Sequence, residues 1–203
     1  VPSEDPAEIA GMVELQLETL SPFPLETLLH SFEILQSANG SSRVLVVLTP
    51  RKTVETFAAP FRTHGLSFSR VTTSSFEWWQ ALQRRQRIPA QGRHLLLIAS
   101  DDGCEFLVVE AGIPLLMRAL PRSPSQTAEA FAAEAADELS YSLTALSLEF
   151  GETPLASATL FTEPDAPSLA DSFRTRLALP LREEAAPGRL SELAAQREAE
   201  GPA

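Results

Sequence analysis

At 203 residues, 44% hydrophobic and 21% charged, the chain has the composition of an ordinary globular protein, long enough for one large domain or two small lobes. Its net charge of −11 and pI near 4.7 argue against a nucleic-acid partner, since phosphate-backbone readers carry clustered Lys and Arg. A single cysteine, Cys104, excludes an internal disulfide and gives no sign of an oxidising compartment.

The first apolar pattern is helical: Ile9, Val13, Leu17 and Leu20 share a face, after an acidic Glu4-Asp5 start and Pro6. Pro22 and Pro24 end that helix, and Phe23 lies between them. "LHSFEILQ" then reads as a strand, "NGSS" as a turn and "RVLVVLTP" as a buried strand, which together predict a hairpin. "TVETFAAPFRTHG" predicts a helix with Val54, Phe57, Ala58 and Phe61 on one face, kinked or shortened at Pro60 and stopped by Gly65. "LSFSRVTT" alternates like a strand. "SSFEWWQALQRRQ" reads as a short helix whose Ser74 and Glu77 fit a capping box, and whose Arg84, Arg85 and Arg87 complement the carbonyls at its end.

Ile88-Pro89-Ala90-Gln91-Gly92 is a linker-like break, so the chain is expected to divide into residues 1–90 and 91–203. "HLLLIAS", "CEFLVVEA" and "IPLLMRAL" are parted only by turn residues and predict an antiparallel meander. The longest helix follows, with Phe131, Ala135, Leu139 and Leu146 along its buried stripe. "LASATLFT" is a further strand, "SLADSFRTRLAL" a helix, "PLRE" a short edge strand and "GRLSELAAQREAE" a last helix with few apolar residues to bury. No apolar run reaches the ~18–20 residues of a membrane span; "VLVVL" and "LLLIA" have strand length. The start at Val-Pro and end at Gly-Pro-Ala suggest a piece of a longer protein.

In this order, "MVELQLETLSPFPLETLLHSFEILQ", "RVLVVLTPRKTVETFAAPFRTHGLSFSRVTT" and "CEFLVVEAGIPLLMRALP" resemble the type IV pilus assembly protein PilM. They are also similar to the cytoplasmic part of the type II secretion protein GspL, both being actin-like folds related to the cell-division protein FtsA. The likeness covers roughly residues 8–193 and lies in the ordered set. It implies a partial actin-like (ribonuclease H-like) α/β fold of two lobes with mixed sheets. Residues 1–90 would be an inserted-type subdomain and residues 91–203 the second lobe. Within it, the Pro-Phe-Pro step reads as a rigid elbow whose Phe23 plugs the joint, or as a plain helix stop with a core phenylalanine.

The resemblance also implies where a nucleotide would bind. An actin-like ATPase needs two glycine-bearing phosphate hairpins, a glycine-rich adenosine loop and an aspartate for magnesium-bound water. The first hairpin is absent from this sequence. At the second, residues Ala99, Ser100, Asp101, Asp102 and Gly103 carry the Asp-x-Gly pattern only if the register slips, and otherwise read as a plain hairpin turn. Thr162, Glu163, Pro164 and Asp165 stand where a Gly-Gly pair should hold adenosine, and acid with proline would repel phosphate. No cofactor and no metal are therefore expected, and His30, His64 and His94 lack ligand spacing.

Other chemistry is thinner. There is no G-x-S-x-G elbow, Cys104 reads as a small buried apolar residue, and Glu183-Glu184 as a solvated face. A ribonuclease H-type nuclease would need more clustered acids than "HLLLIASDDG" supplies. Two readings stand. One is a non-catalytic scaffold, cytoplasmic and peripheral to the inner membrane, in a type IV pilus or type II secretion platform. Its partner would be a short cytoplasmic peptide of a membrane protein or an assembly ATPase. Phe23, Trp78 and Trp79 are the candidate contact residues; adjacent helix residues point in different directions, so at most one tryptophan is expected in the core and the other exposed as an anchor, with plain core-and-rim packing as the alternative. The other is an ATPase whose first phosphate hairpin lies upstream.

Overall fold

A computed structural model describes residues 1–21, 23–68, 70–189 and 192, with the side chain of Leu20 excepted. The chain forms two compact units, Val1–Val71 and Thr72–Ala203. The sequence boundary at 90/91 thus lies well inside the second unit. The reason is the helix over residues 74–84, which is tied by side-chain hydrogen bonds to the strands that follow it.

In the first unit, helix α1 spans Pro6–Leu20. Asp5 caps it, its carboxylate accepting the Ala7 N–H at 2.8 Å, and Pro6 occupies the first turn where no donor is needed. Ile9, Val13 and Leu17 recur every four residues and are buried against Phe32, Ile34, Val44 and Val46. Strands β1 (Leu28–Ala38) and β2 (Ser41–Pro50) pair antiparallel. Asn39 and Gly40, at φ +54° and +75°, make the two-residue turn that matches strand twist. Helix α2 runs over Arg51–Arg62. Pro60 falls in its last turn, where only one helical bond is lost, so the helix is neither broken nor visibly shortened there.

Three expectations change in this unit. "RVLVVLTP" is not a buried strand: Val44 to Val47 are half-buried and Leu48 is exposed, because among the described residues the sheet has only two strands and covers little of their surface. "LSFSRVTT" forms no strand in its described residues; among the described residues no third strand lies beside β1 or β2 to supply its hydrogen bonds. Of the helical face read from α2, only Ala58 is buried, and Phe57 and Phe61 are exposed.

The second unit begins with α3 (Ser74–Arg84) and continues with β3 (Arg93–Ser100), β4 (Gly103–Glu110) and β5 (Ile113–Pro121). Helix α4 (Ala128–Phe150), β6 (Leu155–Thr162), the short α5 (Ala170–Arg174) and β7 (Leu181–Ala185) follow. The sheet order is β5-β4-β3-β6-β7, antiparallel across the predicted meander, with β6 parallel to β3 and β7 parallel to β6. Strands β3 and β4 are central and buried on both faces, which explains their unbroken apolar runs. Leu95, Leu97, Phe106 and Val108 face α4 and α5, meeting Phe131, Ala135, Leu139, Leu146 and Phe173. The alternate set, with Glu105 among it, faces the other way, where Ser75 Oγ of α3 donates to the Glu105 carboxylate. The α4 stripe is the one the spacing predicts, whereas "SLADSFRTRLAL" yields only five helical residues. The last helix read from "GRLSELAAQREAE" falls almost wholly outside the described residues.

Candidate functional site

Parallel strands β3 and β6 end side by side, at Ser100 and Thr162. In open α/β sheets the carboxyl ends of parallel strands are where ligands sit, because chain and dipoles converge there and the connections leave a crevice. A cleft of about 680 Å³ opens at that point. The β3–β4 turn and Glu163 line it together, so the segments read from the sequence as the phosphate turn and the adenosine loop do converge. Helix α3 adds Ser74, Glu77 and the edge of Trp78, and β4 adds Glu105.

The turn itself is closed upon its own backbone. Ser100 pairs with Gly103, leaving Asp101 and Asp102 as the two loop residues of a hairpin. The Asp102 carbonyl accepts the Arg122 N–H at 2.7 Å, and Asp101 Oδ1 lies 3.9 Å from Arg122 Nη1. Gly103 is glycine because of β5: a Cβ there would lie 2.2 Å from the Leu120 carbonyl oxygen. That close approach serves sheet packing, and no ligand is needed to account for it.

The second segment is also a turn with a reason of its own. Glu163 N–H donates to the Ala99 carbonyl at 2.9 Å, which continues the β3–β6 ladder by one residue. Pro164 and Asp165 are then the central pair of a turn closed by Ala166 N–H on the Glu163 carbonyl at 3.2 Å. Asp165 takes φ +70°, as the third position of a type II turn demands, and its carboxylate meets Arg189 at 3.1 Å. A glycine pair is replaced by a proline-fixed corner.

Five carboxylates line the cleft (Glu77, Asp101, Asp102, Glu105 and Glu163) against one lining cation, Arg189. Glu77 and Glu163 are buried. Burial pushes the Glu105 carboxyl above its ordinary range, and hydrogen bonds from Ser74 and Ser75 pull it back in part. Polyphosphate needs backbone N–H groups or cations aimed at it. The residues present do not suit a nucleotide's phosphates. Among the described residues no group of three or more His, Cys, Asp or Glu is placed to hold a metal.

The proposed contact residues do not join this site as anchors. Trp78 and Trp79 are 1% and 6% exposed, so both are core. The one-in, one-out expectation fails because α3 packs against the sheet while the Trp79 indole reaches sideways to the β4–β5 turn, its Nε1–H donating to the Gly112 carbonyl at 3.0 Å. Phe23, in the other unit, is 60% exposed and plugs no joint. Pro22 lies outside the described residues. Sequence reading also placed the α3 cap one residue late: Thr73 Oγ1 accepts the Phe76 N–H, and Glu77 is instead a buried wall of the cleft. The signal was present, since a glutamate followed by two tryptophans in a short helix cannot lie wholly on a wet face. Cys104 is buried and burial pushes its thiol upward, leaving an inert apolar residue.

No helix among the described residues is long and apolar enough to cross a membrane. No protein-family model matches the sequence, and no curated protein matches it. Solved structures do. A structure titled PilM-PilN type IV pilus biogenesis complex aligns over 98% of this chain and 68% of its own, at TM-score 0.71 and 19% identity. A Bacteroides thetaiotaomicron VPI-5482 protein, described as having an actin-like ATPase fold and unknown function, aligns over 92% of this chain and 65% of its own, at TM-score 0.53 and 12% identity. At such identities what is shared is architecture: the chain has an actin-like fold and is similar to a component of the PilM-PilN complex.

Proposed function

We propose that the chain is a non-catalytic docking module that resembles PilM and GspL, in the inner-membrane platform of a type IV pilus or type II secretion system. It would act in the cytoplasm, peripheral to the membrane. Its partners would be protein segments, either a short cytoplasmic peptide of a membrane protein or an assembly ATPase. The observation that carries this reading is the cleft at the ends of β3 and β6. In an actin-like fold that place is built for phosphate, and here carboxylates outnumber cations while a proline corner stands in the adenosine loop. A site that repels its fold's usual ligand leaves the surfaces, rather than chemistry, as the means of action. The full-coverage likeness to a pilus biogenesis complex supports the setting.

A second reading keeps the ATPase and draws its first phosphate hairpin from upstream sequence. What favours it is the cleft's volume, about 680 Å³, which is within the range of small-molecule sites. Calorimetry with Mg-ATP on the full-length protein separates the two. The docking reading expects no saturable heat at micromolar nucleotide; micromolar binding with turnover establishes the ATPase.

A further inference from the structure

Strands β3 and β6 also meet at the opposite end of the sheet, where β3 opens with Arg93 and His94 and β6 with Leu155. Along β3, His94 stands about 20 Å from Ser100 at the acidic cleft. Arg93 pairs with Leu155 and His94 with Ser157, so Ala156 is an extra residue in the β6 ladder. In unbroken register His94 would face Ala156. The bulge re-aims β6 and sets a hydroxyl beside the imidazole instead.

His94 is 5% exposed, and both ring nitrogens are engaged. Nε2 lies 2.6 Å from the Gln91 carbonyl oxygen and Nδ1 lies 2.8 Å from Ser157 Oγ. A carbonyl can only accept, so Nε2 carries hydrogen and the neutral ring presents a bare Nδ1. The Ser157 hydroxyl therefore donates to Nδ1. A hydroxyl donating to a neutral imidazole, whose other nitrogen is fixed by a third group, is the arrangement that activates a serine. Exposure runs in the matching order. Ser157 is half-buried and the neighbouring Gly92 and Ala156 are exposed, while the ring lies beneath. Gly92, at φ +88°, sits so close that a Cβ would lie 3.4 Å from Nε2 and 3.1 Å from the Ala156 methyl. Satisfying a buried imidazole accounts for the two bonds. It does not account for an inserted residue whose effect is to exchange a methyl for a hydroxyl opposite the ring.

We propose that Ser157 and His94 are a nucleophile–base pair that takes an acyl group from an activated ester. Ser157 Oγ bonds to the acyl carbon as its proton passes to His94 Nδ1. The ester C–O bond breaks, and the leaving oxygen takes that proton from Nδ1. The Gln91 carbonyl holds the imidazolium between the two transfers. An acyl donor suits the pair better than a phosphoryl donor, because the adjacent cation is already held. Arg93 donates to Glu110 and to the Gly151 carbonyl, each at 3.2 Å, and so offers no guanidinium to a phosphate. The inference goes beyond the docking reading: the pair lies away from the cleft, and neither result below bears on nucleotide or peptide binding.

The probe is p-nitrophenyl acetate, added to the intact chain, with nitrophenolate release followed and the acetylated peptides mapped by mass. A burst that places the acetyl group on Ser157 is the expected result. Ser157→Ala should remove that burst, and His94→Gln should slow it at least about 100-fold. Nitrogen-15 spectra of the imidazole, recorded where the ring is neutral, test the pair without any reaction. They should show hydrogen on Nε2 and none on Nδ1. The opposite tautomer overturns the proposal. So does acetylation no faster at Ser157 than at other serines, acetyl transfer to His94 itself, or an unchanged rate in His94→Gln. If His94→Gln fails to fold, the tautomer and the position of the acetyl group decide in its place.

Discussion

The sharpest test of the site assignment is Trp78→Ala. If Trp78 is an exposed partner anchor, its loss weakens binding and leaves stability nearly untouched, because surface substitutions cost within about 0.5 kcal/mol. Its indole is 1% exposed, beneath the floor of the acidic cleft. Truncating a buried Trp removes its transfer free energy and leaves a cavity, together about 3–5 kcal/mol. Against a total stability of about 5–15 kcal/mol that is a large fraction of the fold. Urea unfolding followed by far-UV dichroism should therefore show a midpoint lowered in proportion, with the slope unchanged. Trp78→Phe should lose much less, and native tryptophan emission should resist iodide quenching. A loss below about 1 kcal/mol for Trp78→Ala, or ready quenching of both indoles, would refute the core assignment and restore the tryptophans as contact candidates.

Gly103→Ala should destabilise by about 1–3 kcal/mol or more, since its methyl would meet the Leu120 carbonyl at 2.2 Å and push β5 from β4; unfolding midpoints measure it, and a neutral result removes the packing account of this glycine. Glu105 has a folded-state pKa raised above its ordinary 4.5, chiefly by burial. The folded state thus holds the proton more tightly, so its contribution is fully present below about 4.5 and is lost as pH rises through the folded value. Glu105→Gln should flatten that part of the stability-against-pH curve, and an unchanged slope would exclude Glu105 as its source. Cys104 should stay unlabelled by iodoacetamide until the chain unfolds, because its thiol is buried and held protonated; labelling under native conditions would contradict that placement.

Legibility followed the number of local signals each element carries. Helix α1 has a cap, an N-terminal proline and a four-residue apolar repeat, and it lies where those place it. The meander was legible because β3, β4 and β5 are separated by pairs of turn residues, which leave no room for anything but hairpins. The cleft was legible as two sequence positions, 99–103 and 162–165, since the chain order of an actin-like lobe brings those strand ends together. Its acidity was only half visible. Glu77 and Glu105 enter from a helix and a strand whose inward faces depend on packing, and a capping-box pattern tied Glu77 to a cap at Ser74 that Thr73 makes instead. The orientation of two adjacent tryptophans is likewise tertiary: helix geometry separates them by about 100°, and a sheet face plus a neighbouring turn can bury both.

The residues 66–73 and the run at 44–48 misled in opposite directions for one physical reason. A strand is not a local structure; its backbone groups need a neighbour, and alternation in sequence reports only that a neighbour would be welcome. "LSFSRVTT" alternates, and its described residues find none. "VLVVL" has the composition of a strand with neighbours on both sides, and among the described residues finds one. In the second unit the same kind of run, "LLLIA", is flanked by β4 and β6 and is buried from end to end. The contrast lies in sheet size, not in the strands. A five-stranded sheet supplies its interior strands from within one chain, whereas a two-stranded sheet has no interior strand at all.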